Sequence, residues 1–224
     1  MTEKRRYSSA LRGEQTELAR TRILTAAGAL FLDRGYLGTT LAAIATEAGV
    51  SVQTVYNVIG GKPAVLKAVY DVALAGDDEP IPMVDRPVYQ AIGAATDPRQ
   101  CLLLYASLAR QISERTTPLI RMARAQAATG DRDLTEYLKT LDAELEFGCH
   151  YMAGRLAEKF GLRTGLDTDT AADQLWSING SDLAHRLVNE RGWTWDQYET
   201  WLGNTLTDLL IGQADSDSGG DRLQ

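Results

Sequence analysis

Residues 41–59 read LAAIATEAGVSVQTVYNVI, and this stretch decides the fold of the N-terminal part of the chain. Apolar residues recur at helical spacing on both sides of residues 49–51, where Gly-Val-Ser interrupts the pattern. The stretch therefore predicts two short helices that cross at a corner. Each is about two turns long and would not persist alone in water, so their apolar faces must pack on each other and on flanking helices.

The residues of the corner suit this geometry one by one. Gly49 stands where the chain leaves the first helix and needs a positive φ, which a residue without Cβ adopts at low cost. Ala45 lets the second helix approach closely, and Val50 fills the corner. Ser51 can accept a backbone N–H as N-cap, so we expect the second helix to begin at Val52.

Both flanks of the corner predict further helices. Upstream, residues 21–35 place apolar side chains on one face and end at Gly35, a suitable C-cap. Downstream, residues 60–62 form a turn, and Leu66 and Tyr70 belong to the next amphipathic helix. Together these segments predict a helix-turn-helix held by a supporting helix on each side.

The order of these residues resembles a known family. The resemblance lies in Gly35-Tyr36-Leu37-Gly38-Thr39-Thr40, Ile44-Ala45, Ala48-Gly49-Val50-Ser51, Thr54-Val55-Tyr56, Gly61-Lys62 and Leu66. This pattern is similar to the DNA-binding domain of the tetracycline-repressor (TetR) family of bacterial transcription regulators, over residues 16–76 without a gap. The chain departs from it at Ile59, where the family usually carries Phe. The resemblance implies a double-stranded DNA operator as partner, and repression as the usual outcome.

The exposed side of the second corner helix is where we expect DNA contacts. Gln53 suits an adenine edge, and the methyl groups of Val52 and Thr54 suit a thymine methyl. Hydroxyl and ammonium groups suit phosphate oxygens. The predicted DNA-binding residues are Thr40, Val52, Gln53, Thr54, Tyr56, Asn57 and Lys62. The alternative is that these are exposed polar residues without a role, and that Tyr56 is a partly buried core aromatic.

The charge of the chain is unevenly distributed. The net charge is −7, which by itself is unfavourable for binding DNA. Residues 1–76, however, hold nine basic and six acidic side chains, so they carry +3 and the remainder carries −10. A basic N-terminal arm before Thr21 could follow the DNA backbone or enter the minor groove. The alternative is a solvated, disordered tail.

After Ala75 the composition changes to an acidic, proline-broken connector, which predicts the start of a second domain. Asp97-Pro98 and Thr117-Pro118 each read as the N-cap and first residue of a helix. Residues 134–160 and 168–190 have long helical periodicity, and Thr194 can cap a last helix. The predicted organisation is a basic arm (1–20), a helix-turn-helix domain (21–76), a helical effector-binding and dimerisation domain (77–212) and a disordered tail (213–224). The fold class is therefore all-α, a three-helix DNA-binding domain followed by a helical bundle.

The last two helices carry many apolar residues, more than one buried stripe requires. We therefore expect a homodimer in which they form a four-helix bundle with the same pair of a second subunit. The alternative is a larger core within one chain. The resemblance supports the dimer, since regulators of this family usually pair through these helices.

Such regulators also commonly enclose a small molecule, so the resemblance implies a small-molecule effector as a partner. The candidate pocket residues are Tyr105, Leu108, Met122, Phe147, His150, Tyr151 and Trp176. The alternative for the aromatics is an ordinary core position, and for His150 a satisfied or exposed histidine.

Other classes of protein are less compatible with the sequence. The chain has two histidines and two cysteines, with no phosphate-binding loop and no metal-ligand spacing, so we expect no enzymatic activity, no cofactor and no metal. Cys101 and Cys149 are expected to be buried small apolar residues rather than a redox pair. Without a signal peptide or membrane span, we expect a cytoplasmic protein. The remaining alternative is a helical protein-interaction module of the same fold that has lost specific DNA binding or effector response.

Overall fold

A computed structural model describes residues 3–211, with side chains from residue 13 onward. Every regular element in this range is helical, which confirms the all-α prediction. The helices are α1 Glu3–Gly38, α2 Leu41–Ala48, α3 Val52–Val58, α4 Lys62–Ala75, α5 Pro87–Ala94, α6 Pro98–Ala127, α7 Arg132–Phe160, α8 Thr168–Asn179, α9 Ser181–His185 and α10 Trp195–Leu210. A 3-10 turn at Met83–Asp85 precedes α5, and a π-helical turn at Arg186–Glu190 follows α9. The predicted tail, residues 213–224, lies outside the described residues.

Helix α1 begins at Glu3, well before Thr21, so the backbone of the predicted basic arm is helical from Glu3 onward. The first two residues and the side chains of residues 3–12 lie outside the description. Near its other end the helix is interrupted at Gly35, where φ is 73° and ψ is 170°. The hydroxyl of the fully buried Thr39 donates to the carbonyls of Leu30 and Gly35, which stabilises this break.

The chain folds as two compact units. The first comprises residues up to Pro80 together with Glu114–Leu141, and the second comprises Ile81–Ser113 together with Asp142 onward. Helices α6 and α7 therefore each supply residues to both units. The core of the first unit includes fully buried Ile23, Phe31, Ile44, Val55 and Val65, and burying each such side chain contributes about 1.5–3 kcal/mol.

The core of the second unit is formed by helices α5 to α10. On α10 the side chains of Tyr198, Leu202, Leu206 and Leu210 have no exposed surface. The opposite face of α10 is polar and exposed; it carries Asp196, Thr200, Asn204 and Asp208. One chain thus buries the main apolar stripe of its last helix by itself, so apolar content alone no longer argues for a second buried face.

Two of the expected helix boundaries differ from the structure. Pro118 does not start a helix but lies inside α6. Because proline has no N–H, it cannot donate the backbone hydrogen bond that other residues inside a helix make. The expected helix over residues 168–190 is divided at Gly180, whose extended backbone separates α8 from α9. Within residues 3–211, no helix combines the length and apolarity needed to cross a bilayer.

Candidate nucleic-acid interface

The corner between α2 and α3 forms as its sequence predicts. Gly49 adopts a φ of 66° and a ψ of 38°, and its N–H donates to the carbonyl of Thr46. The N–H of Val50 donates to the carbonyl of Ala45 at 2.9 Å, which closes the end of α2. Ser51 accepts the N–H of Thr54 at 3.0 Å, so α3 begins at Val52. These local bonds determine the direction in which α3 leaves the corner.

Helix α3 presents one buried and one exposed face. Val55 has no exposed surface, and Ile59 packs partly against the same core. On the other face Val52 is 38% and Tyr56 53% exposed, so Tyr56 is not a core aromatic. Gln53 is also exposed, and a face of this kind is free to enter a DNA groove.

The two amides predicted to read bases are hydrogen-bonded to each other. Nε2 of Gln53 donates to Oδ1 of Asn57 at 2.8 Å. The amide nitrogen carries two N–H groups, so one N–H and Oε1 of Gln53 remain for the bidentate pattern of adenine. Asn57 thereby holds the Gln53 side chain in one orientation before DNA arrives, which lowers the entropy lost on binding.

Two threonines predicted to bind phosphate stand at helix starts. Thr40 is the N-cap of α2, and its oxygen accepts the N–H of Ala43 at 3.1 Å, so its hydroxyl proton can point outward. The hydroxyls of Thr54 and Ser51 are 2.8 Å apart and form a hydrogen bond. Exposed N-terminal N–H groups and hydroxyls at α2 and α3 together make a surface suited to phosphate oxygens.

Lys62 has a structural function that its sequence pattern does not indicate. Its Nζ donates to the carbonyl of Tyr36 at 2.9 Å and to that of Thr39 at 3.0 Å, and lies 4.0 Å from the centre of the Tyr36 ring. Partial burial lowers the pKa of this amine, although Asp131 and Asp133 oppose the shift. Two of its three N–H groups thus hold the turn that follows α1, and its predicted phosphate contact depends on the third.

The basic residues at the start of the described side chains have different environments. The guanidinium of Arg20 binds Asp78, with Nε 3.0 and 3.1 Å from the two carboxylate oxygens. Arg22 is exposed, and a Cβ built on Gly49 would lie 3.6 Å from its Nη2. Arg22 therefore places a cation beside the corner. From the sequence alone, Arg22 is only one of nine basic residues in the N-terminal part of the chain.

A hydrogen-bonded support lies beneath the corner. The hydroxyl of Tyr36 donates to Asp133 at 3.1 Å, and its N–H donates to the sulfur of Met122. The N–H of Leu37 donates to Oε1 of Gln126 at 2.9 Å. Burial, followed by the bond to Asp133, raises the pKa of Tyr36. Parts of α6 and α7 thus hold the turn that leads into α2.

The seven candidate pocket residues are divided between the two units and differ in exposure. Met122 belongs to the first unit and contacts Tyr36, because its turn of α6 packs on the core around α1. The other six lie in the second unit. Leu108 is part of its core and Tyr105 packs against that core, whereas Phe147, His150, Tyr151 and Trp176 are exposed. Cys101 and Cys149 are both free and buried, which confirms that prediction. Among the described residues no group of three or more His, Cys, Asp or Glu could hold a metal ion.

The N-terminal part of the chain matches the model of a known protein family. Residues 23–69 match the family model described as bacterial regulatory proteins, tetR family. None of the curated proteins matches the chain significantly in sequence.

Several solved structures that share this fold are described as transcriptional regulators. A protein described as a TetR-family regulator from Rhodococcus sp. superposes with a TM-score of 0.66 at 16% identity, over 87% of this chain and 99% of that one. The transcriptional regulator FadR from Bacillus subtilis, solved in complex with stearoyl-CoA, gives 0.63 at 15% identity, over 87% and 99%. The fatty acid degradation regulator FadR from Bacillus halodurans gives 0.59 at 18% identity, over 84% and 93%. At these identities the likeness concerns the fold.

Proposed function

We propose that this chain, whose residues 23–69 form a DNA-binding domain of the TetR family, is a ligand-responsive transcriptional repressor. It acts in the cytoplasm, as a homodimer that binds a pseudo-palindromic operator and leaves it when a small molecule binds the second unit. The observation that carries the proposal is the exposed face of α3. Gln53 and Tyr56 are presented to solvent there while Val55, on the other face, is completely buried.

In this proposal the DNA contacts fall into two groups. Gln53, Val52 and Asn57 face base edges in the major groove, and their contacts discriminate between sequences by about 1–3 kcal/mol each. Thr40, Thr54, Tyr56 and Lys62 contact phosphates and hold the register of the helix.

The second unit supplies regulation and dimerisation. The dimer has one arrangement whose DNA-binding domains match the spacing of the half-sites and another whose domains do not. A ligand that binds the second arrangement more tightly shifts the dimer toward it. The affinity for DNA then falls by as much as the ligand's affinities for the two arrangements differ. The stearoyl-CoA complex of a regulator with the same fold supports a ligand function for this unit. For dimerisation, Trp176 on α8 is 46% exposed and offers apolar surface to a second copy.

Binding to genomic DNA tests the proposal directly. The purified chain should retain fragments of its own genome that share an inverted repeat with half-sites about one helical turn apart or a multiple of it. Raising salt from about 50 to about 200 mM should weaken this binding by about a thousandfold, as six or more phosphate contacts require. Retention of no fragment, or binding that ignores salt, would leave the interaction module as the better description.

Two variants separate the roles within α3. Gln53→Ala should relax preference at one base position of each half-site, because it removes a base contact. Tyr56→Phe should weaken specific and random duplexes alike, because it removes a phosphate contact. Equal losses on all duplexes from both variants would contradict this division.

The dimer has its own test. Trp176→Glu should convert the dimer to a monomer in sedimentation equilibrium, since it puts a charge into the apolar contact. Phe147→Glu is the matched control. Phe147 is 75% exposed but lies on α7, outside the C-terminal helices, residues 168–190 and α10, that are proposed to form the dimer contact. If Trp176→Glu remains dimeric, the interface lies elsewhere.

A further inference from the structure

Three helices of the second unit bring neutral polar groups together in its interior. Nδ2 of Asn179, at the end of α8, donates to the hydroxyl oxygen of Tyr105 on α6 at 2.7 Å. The same nitrogen lies 4.0 Å from the sulfur of Cys149 on α7. We call Tyr105, Cys149 and Asn179 the amide cluster.

One strong acceptor of the amide cluster lacks a donor. Oδ1 of Asn179 is buried and has no hydrogen-bond partner among the described residues, and the same holds for Oε1 of Gln174 on α8. Buried amide oxygens in folded proteins are nearly always hydrogen-bonded, because leaving them unpaired loses the hydration they have in water. A ligand that carries a hydrogen-bond donor would satisfy the Asn179 oxygen, which no described residue does.

Among the described residues, no charged group adds to the effect of burial on the pKa values of Tyr105 and Cys149. Cys149 belongs to a core that includes the fully buried Leu102, Ala153 and Leu175, and Tyr105 packs against it. Burial raises the pKa of the Cys149 thiol to about 11 and also raises that of Tyr105, so both are neutral near pH 7. An ionised ligand group placed here would be buried without a counter-ion, which is strongly unfavourable.

We infer that Asn179 and Tyr105 form the recognition point for the effector, and that the effector is a small uncharged molecule with an O–H or N–H donor on an apolar body. This inference rests on the proposed function and adds the chemistry of its ligand. The donor binds Oδ1 of Asn179, and the apolar body contacts the surrounding core side chains. A carboxylate head group lacks the proton that this oxygen requires.

Matched compounds test the inference on the full chain. The probes are phenol, 4-methylphenol, indole and hexan-1-ol, each compared with its O-methyl or N-methyl derivative, and stearoyl-CoA. At about a hundredfold excess over Kd, at least one donor probe should raise the thermal midpoint by about 5 °C or more, while its methylated partner should not. The same probe should release operator DNA.

Variants of α8 locate the effect. Asn179→Leu should remove the difference between donor and methylated probes. Ser177→Ala, a change at an exposed position on the same helix, should behave like the parent.

The inference is overturned if no donor probe stabilises the chain, if methylated probes act equally well, if only stearoyl-CoA acts, or if Asn179→Leu keeps the preference. These outcomes are separate from a failure of the proposed function. A chain that never binds DNA would refute repression, whereas the donor preference is measured by thermal midpoint without DNA.

Discussion

The hydroxyl of Tyr36 donates to Oδ2 of Asp133 at 3.1 Å, and this bond joins the end of α1 to the first turn of α7. The carbonyl of the same tyrosine accepts from Lys62 at the start of α4. One residue thus connects three helices, and the turn that follows it leads directly into α2. The position of the DNA-reading corner therefore depends on contacts made by Tyr36.

Tyr36→Phe should lower the free energy of unfolding by about 1 kcal/mol, because the ring still packs but the bond to Asp133 is lost. Urea titration followed by circular dichroism measures this change. Tyr56→Phe is the matched control: Tyr56 is exposed, so the same substitution there should leave stability unchanged. Equal stability of the Tyr36→Phe variant and the parent chain would show that the bond contributes nothing.

Gly35→Ala should destabilise the chain by more than about 1 kcal/mol. Gly35 has a φ of 73°, and an added Cβ would lie 1.8 Å from Nε2 of Gln126. Adding Gln126→Ala should restore part of the loss by removing the collision but not the backbone strain.

Gly148→Ala is the same chemical change, but we expect it to stabilise the chain. Gly148 lies inside α7 and a Cβ there would meet no atom within 4 Å, so alanine should stabilise by about 0.4–1 kcal/mol. Thermal unfolding of these three variants and the parent chain checks both glycines. If Gly35→Ala and Gly148→Ala shift stability in the same direction, the structural account of Gly35 is wrong.

Arg22→Gln should weaken binding to all duplexes and lower the salt slope by about 1, with stability unchanged, because its guanidinium stands beside the corner. Arg20→Gln is the comparison, since Arg20 already binds Asp78. It should leave the salt slope unchanged and reduce stability by at most about 1 kcal/mol. Fluorescence anisotropy over a salt series distinguishes them; a reduced slope for Arg20→Gln alone would reverse the assignment.

Stability should fall as the pH rises from 9 to 11, partly because of Cys149. Its pKa is about 11 in the folded chain against 9 for an unburied thiol. Between these values the folded chain holds a proton that the unfolded chain has released, so this contribution is complete below pH 9 and disappears above pH 11. Cys149→Ala should make the measured fall less steep. Part of the fall in stability should remain in this variant, because burial also raises the pKa values of Tyr105 and Tyr198. Parallel pH profiles for variant and parent would contradict this assignment.

The corner was predictable because its determinants are local. The positive φ at Gly49, the cap at Ser51 and the inward position of Val55 each depend on neighbours within a few residues. The same local reasoning failed at Pro118, since an N-cap and proline pair cannot reveal that both ends of α6 pack in cores that keep the helix continuous.

The sequence by itself determined an all-α chain with a helix-turn-helix whose second helix begins at Val52, because periodicity, caps and glycine conformation act over short distances. Only the tertiary structure decided that Lys62 holds the carbonyl of Tyr36, 26 residues away, that Arg20 binds Asp78, 58 residues away, and that Gln126 binds Leu37, 89 residues away. The physical reason is that these polar groups take whichever partners chain packing brings within hydrogen-bond distance, and no spacing along the chain encodes that choice.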